Sequence, residues 1–308
     1  MNGLFFEYSS ARIKFSPMLK NGNQLVFDIG AHNGDDSAYY LQLGYRVIAV
    51  EANPLLAAAC AKRFEVEIQS DKIKVLNVGV LKEPGEFSFY RNLTDDGWSS
   101  FEGERGKRGG HWEAVSIHCT TVASLIENYG CPFFMKIDIE GADMGAIASL
   151  KCDIAPRYLS VELNCTDPII ETLAGLGYSS FKFVNGETFR RSGPIWDHEI
   201  GWRLLRKIGR IMPPIRSALT RLPERLRVKT EFDIPGQYNP DNYPFTRYSS
   251  GPFGEQAAGN WLSIDAAIGW FQNIKNGYLK ADRAEQLWWD VHARHKNARP
   301  VMPTAPQP

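Results

Sequence analysis

The stretch Lys136-Ile137-Asp138-Ile139-Glu140-Gly141-Ala142-Asp143 places three carboxylates directly behind the apolar run Cys131-Pro132-Phe133-Phe134-Met135. A buried strand that ends in clustered acids points to chemistry that wants negative charge: proton abstraction, capture of a cationic group, or a hard metal ion. Upstream, Asp28-Ile29-Gly30-Ala31-His32-Asn33-Gly34 follows a second apolar run, Leu25-Val26-Phe27. Gly30 and Gly34 allow a sharp turn and the close approach of a ligand, and the helix start behind them offers free N–H groups. Glu51 closes a third run, Val47-Ile48-Ala49-Val50, just before Ala52-Asn53-Pro54. An acid at the end of a second strand is placed to accept hydrogen bonds from the two hydroxyls of a ribose. The glycine turn and the acid together point to an adenosine-type ligand. The turn is not G-x-G-x-x-G, which speaks against a dinucleotide, nor G-x-x-x-x-G-K-[ST], which excludes the usual P-loop.

Structural roles compete for the same residues. Glu51 and Asp143 each suit the first turn of a helix, where an acid complements the macrodipole. Glu140 reads either as a cap or as a substrate contact. Asp138 is placed to take a proton from an acceptor or to hold a cofactor's ammonium. Asp138, Glu162 and Asn164 end neighbouring strands and could converge as oxygen ligands for Mg²⁺. His118 reads as core, His111 as solvated, and His292 and His295 as packing or surface residues.

The elements that must position these groups alternate from residue 24 to about 185. Apolar runs at 24–30, 46–53, 72–80, 131–140, 157–164 and 179–185 read as buried strands. Between them, 35–45, 54–64, 121–130, 142–150 and 167–178 read as helices, with Pro54 at a helix start and Gly44 and Gly130 at helix ends. Residues 85–92 and 114–122 add two strands around the glycine-rich loop 95–111. This is the pattern of a doubly wound α/β sheet, mostly parallel, with ligands at the carboxyl ends of its strands. The organisation expected is an extension over 1–23, a Rossmann-like domain over 24–190, a basic and loop-rich insertion or lid over 191–260, and C-terminal helices with a proline-rich tail over 261–308. The apolar stripe Ile264, Ile268, Phe271 and Ile274 marks one helix, broken at Asn276-Gly277; Ala281 to His295 reads as a second.

Composition narrows the class. The 308 residues are 44% hydrophobic, enough for a full core. Lys+Arg and Asp+Glu are equal at 35, so no global field favours nucleic acid. Five scattered cysteines without C-x-x-C suggest thiols in a reducing cytosol rather than disulfides or zinc. No secretion signal or membrane span is expected, and the chain reads as cytoplasmic. One local excess stands out: Gly201 to Thr230 carries nine Lys/Arg against one acid, Glu224. Residues 201–229 read as a lid, or as a peripheral helix on an anionic membrane interrupted by Pro213 and Pro214.

The set "VFDIGAHNGDDS", "VIAVEANP", "KVLNVGV", "WSSF", "FFMKIDIEGAD" and "YLSVELN" resembles the FkbM-type S-adenosylmethionine-dependent methyltransferases over about residues 24–185. The resemblance implies a class I methyltransferase fold and O-methylation of a hydroxyl on a sugar, glycolipid or secondary metabolite. The acceptor would be a small molecule or a glycan- or lipid-linked hydroxyl. It places Asp28, Gly30 and Gly34 at the methionine end of the cofactor, in the loop that also holds His32 and Asn33. Glu51 would lie at the ribose, and Asn77, Val78 and Ser100 near the adenine. Asp138 and Glu140 would serve catalysis. A nicotinamide-dependent oxidoreductase and a catalytically silent cofactor-binding module are the alternatives.

Overall fold

The computed structural model describes residues 25–151, 153–163, 168–185, 243–246, 249–280 and 289–298. The basic segment 201–229, Asn164 and most of the expected insertion lie outside them.

The architecture is α/β and Rossmann-like. A seven-stranded sheet has the order β3-β2-β1-β7-β8-β10-β9. Its strands are β1 (Leu25–Ile29), β2 (Arg46–Val50), β3 (Ile73–Leu76), β7 (Phe134–Ile137), β8 (Tyr158–Glu162), β9 (Tyr178–Asn185) and β10 (Trp289–His295). The pairs among β1, β2, β3, β7 and β8 are parallel; β10 runs antiparallel to both β8 and β9. A second sheet joins β4 (Gly79–Val80), β6 (Trp112–Thr120) and β5 (Gly85–Asn92) in the order β4-β6-β5. The run expected as one strand over 72–80 is therefore two: β3 belongs to the large sheet and β4 to the small one.

Both faces of the large sheet are covered, which explains its continuous apolar runs. On one face Phe27, Ile48, Met135, Leu159, Val291 and Phe181 form a core. This core takes in residues of α5 (Val122–Tyr129), α6 (Asp143–Ile147), α7 (Ile169–Gly175) and α8 (Ile264–Lys280). On the other face Val26, Val47, Phe134 and Tyr158 pack with Tyr39 and Tyr40 of α1 (Asp35–Gln42) and Cys60 of α2 (Pro54–Arg63). Here an extended strap finishes the cover. Phe253 stacks on Phe134 with ring centroids 4.0 Å apart and meets Tyr40 edge-on. Lys182 donates to the carbonyls of Gly254 and Ala257, and the Tyr158 hydroxyl donates to Glu255.

Local chemistry sets the element ends. The Asn53 side chain accepts from Leu55 N–H with Pro54 behind it, and Thr121 caps α5 by accepting from Ser124 N–H. Gly44, at φ 85°, follows α1 in the left-handed conformation that suits a helix stop.

Two expectations fail in the C-terminal part. Residues 289–295 are not helix but β10, inserted between β8 and β9. Val291 and Ala293 enter one core, while Asp290 and His292 are buried on the opposite face. With both faces buried, an alternating pattern does not separate core from solvent. Asn276-Gly277 does not break α8, which continues to Lys280.

Candidate functional site

The parallel strands β1, β2, β7 and β8 deliver their carboxyl ends to one edge, and the acids of the sequence gather there. Gly30 and Ala31 both donate to the carbonyl of Val50, tying the turn after β1 to the end of β2. Gly30 and Gly34 each have φ 84°. A Cβ on Gly30 would lie 1.8 Å from the carbonyl oxygen of Asp138, so the turn after β1 and the one after β7 touch backbone to backbone.

Glu51 is buried, and each of its carboxylate oxygens accepts a backbone N–H: Oε2 from His32 at 2.8 Å and Oε1 from Asn53 at 2.7 Å. Burial raises its pKa, against the pull of those two donors. Its backbone is braced by Asn77, whose Nδ2 donates to the carbonyls of Glu51 and Ala52. Val78 sits beside it in the core. His32, at φ 51°, places Nε2 3.1 Å from Asp96. The Asn33 side chain accepts from Asp35 N–H, which starts α1.

Asp28 is fully buried. Ser37 donates to its Oδ2 at 2.6 Å, while Oδ1 has no hydrogen-bond partner among the described residues. Burial pushes its pKa up to about 6 despite Lys136. Lys136, on β7 in register with Asp28, is the cation at the centre. Its Nζ lies 3.0 Å from Asp36 Oδ2, 3.3 Å from Asp138 Oδ2 and 3.7 Å from Asp28 Oδ1. Burial works against the ammonium, but Asp36, Asp138 and Asp28 outweigh it and keep it charged.

The turn after β7 divides its acids. Asp138 remains partly open, with its side chain 34% exposed. Glu140, at φ 51°, turns to Arg105 at 3.5 Å and Arg108 at 3.2 Å. Burial, and then the nearby Asp138, push its pKa up to about 7. Asp143 stands in the first turn of α6 and also reaches back, accepting from Ile139 and Gly141 N–H. Ser100 donates to the Glu140 carbonyl at 2.7 Å, fastening the 95–111 loop to this turn.

Behind them stand Glu162 and Asp290, opposite each other on β8 and β10. Burial, and then Asp138, raise Glu162 well above the usual range and Asp290 to about 8. Of the expected Mg²⁺ set, Asp138 and Glu162 stand at the ends of the paired strands β7 and β8, and Asn164 lies outside the described residues. The Lys136 ammonium already sits against Asp138. Among the described residues no three His, Cys, Asp or Glu side chains form a group that could hold a metal.

Lys136, Asp36 and Asp290 went unremarked in the sequence. A lysine within the apolar run Phe133-Phe134-Met135-Lys136-Ile137 was a legible sign, since a buried lysine needs anionic partners. Asp290 was hidden by the helical reading of β10.

The family model described as "Methyltransferase FkbM domain" matches residues 28–180. Among solved structures, methyltransferase FkbM from Methylobacillus flagellatus KT shares 17% identity at a TM-score of 0.32. That match covers 50% of this chain and 35% of the other, so it spans about a third of that protein's length. A precorrin-6y C5,15-methyltransferase from Geobacter metallireducens GS-15 shares 12% identity at a TM-score of 0.31, over 56% of this chain and 71% of the other. No curated protein matches the sequence. Residues 28–180, from Asp28 of β1 into β9, are a methyltransferase FkbM domain, and through them the chain belongs to that methyltransferase family.

Proposed function

We propose that the chain is an S-adenosylmethionine-dependent O-methyltransferase that methylates a hydroxyl of a sugar, glycolipid or secondary metabolite. The observation that carries the cofactor reading is Glu51: a buried carboxylate held by two backbone N–H groups beside a glycine turn. A carboxylate has about four lone-pair positions, so two remain for ribose hydroxyls. The surrounding charge fits as well. Asp28, Asp36 and Asp138 share one lysine, and one Asp28 oxygen has no hydrogen-bond partner among the described residues. Such a site suits a ligand bearing an ammonium and a sulfonium.

When bound, S-adenosylmethionine supplies a methyl group on a sulfonium, whose S–CH₃ bond breaks as the acceptor's O–CH₃ bond forms, the bonding pair staying on sulfur. The residues supply alignment and a destination for the proton. Glu51 and the Gly30 turn hold the adenosine end; Asp28 faces the ammonium. Asp138, the open carboxylate, accepts the hydroxyl proton. Glu140, clamped by Arg105 and Arg108, borders the acceptor side.

Calorimetry with S-adenosylhomocysteine and with NAD tests the cofactor. The thioether should bind and NAD should not; the reverse result removes the reading. Glu51→Gln should weaken thioether binding by roughly tenfold to a hundredfold, the weight of a charged hydrogen bond. Metabolite extracts incubated with enzyme and cofactor, followed by mass spectrometry, should show a product heavier by one methylene. Asp138→Ala should fold and bind cofactor but lose turnover; full turnover in that variant would show that another group takes the proton.

A further inference from the structure

We propose that Lys136 is a positioning and charge-balancing residue of the methyl-transfer site, tying the Gly30 turn to Asp138 while offsetting the acids that would face the cofactor's sulfonium. The inference rests on the cofactor reading above and adds a role for a residue in the second layer of the site.

The geometry is convergent. Lys136 is 3% exposed. Its ammonium reaches the Gly30 carbonyl at 3.5 Å and the carboxylates of Asp36, Asp138 and Asp28 at 3.0, 3.3 and 3.7 Å. Asp36 in turn accepts twice from the Ser250 N–H of the strap, at 3.0 Å each. One ammonium thus joins the cofactor turn, the open carboxylate and the strap.

The charge argument follows from the chemistry. A sulfonium loses positive charge as its methyl departs. Uncompensated carboxylates around it would stabilise the reactant more than the transition state, which deepens binding without raising the rate. A fixed cation among those carboxylates limits that effect. Coulomb interactions at this range remain appreciable in a protein interior. Lys136 also removes the need to recruit an external cation to hold three acids together.

Three proteins test this: wild type, Lys136→Met, and the charge-balanced pair Asp36→Asn with Lys136→Met. The first measurement is the ratio of affinities for S-adenosylmethionine and S-adenosylhomocysteine, which differ by the sulfonium charge. Lys136→Met should raise that ratio by roughly threefold or more, and the double variant should return it to near the wild-type ratio. A residue serving only the fold would weaken both ligands alike. The second measurement needs no ligand: hydrogen exchange of the Gly30 and Ala31 amides, which are bonded to Val50 in the wild type. Exchange there should quicken by roughly tenfold in the double variant while β5 amides stay unchanged. An unchanged ratio in Lys136→Met, or unchanged exchange in the double variant, overturns the proposal. If Lys136→Met does not fold, the double variant decides by exchange. If wild type binds neither ligand, the cofactor reading fails, and the exchange measurement still decides whether Lys136 holds the turn.

Discussion

At the scale of single residues, the site is built from backbone as much as from side chains. Glu51 is oriented by two N–H groups, and Gly30 is a glycine because the Asp138 carbonyl leaves no room for a methyl. Gly30→Ala should separate the two turns, lower stability by about 1–3 kcal/mol or more, and weaken thioether binding, read by urea unfolding and calorimetry. Gly30 and Glu51 were visible in the sequence by their places at strand ends, although a helix-start role competed for Glu51. Lys136 was not, because its role depends on which strand lies beside β7. His292 offers a test of burial. It is 1% exposed, neither ring nitrogen has a hydrogen-bond partner among the described residues, and burial, and then Lys182, depress its pKa to about 3. Between that value and the ordinary 6.5, the unfolded chain binds a proton that the folded chain refuses. Stability therefore rises with pH across this window and is lost as pH falls, by up to about 1.4 kcal/mol per unit. His292→Leu should flatten the acid limb of a plot of urea midpoint against pH; an unaltered slope would show that other groups set it.

At the scale of elements, the strap and β10 do the work that helices do elsewhere in the fold. The strap places Phe253 on Phe134 and binds the two acids that open α1: Asp36 accepts from Ser250 N–H, and Asp35 accepts from Thr246. Phe253→Ala should lower stability by about 3–5 kcal/mol, as expected for a buried ring, and urea unfolding measures it. It should also loosen the start of α1, seen as faster exchange of Ala38 and its neighbours. The central strands were legible because parallel strands buried on both faces are continuous apolar runs. β10 was not, since Asp290 and His292 alternate with Val291 and Ala293 on a strand whose polar side is buried as well, so the expected contrast between core and solvent is absent. The strap itself follows no periodic pattern, and its anchoring is tertiary: Lys182, Tyr158 and Asp36 hold it.

At the scale of the whole molecule, the sheet extends beyond the matched segment. The family match ends at residue 180, yet β9 pairs with β10, from residues 289–295. A chain stopped after Asn185 should lose the cooperative unfolding of the full chain, because β8 and β9 are left without the strand between them; urea melts of the two chains compare this directly. Dialysis against EDTA should leave turnover unchanged, since the acids already share an internal ammonium. No helix among the described residues is long and apolar enough to cross a membrane. Vesicle flotation with anionic lipid is the direct check on a peripheral role for the basic segment 201–229.

The position of β10 also bears on how the protein is made. Its neighbours β8 and β9 are synthesised well before it, and the strand that fills the gap between them follows only after residues 186–288. On a ribosome, the nascent chain can pair β1, β2, β3, β7 and β8 but must keep the outer edge of β8 unpaired until Trp289 to His295 emerge. The connection from β9 must then close around a slot one strand wide. Until it does, an exposed strand edge is available to other chains. That insertion also delivers Asp290 to the acid cluster, so the site is completed only after Trp289 to His295 have been made.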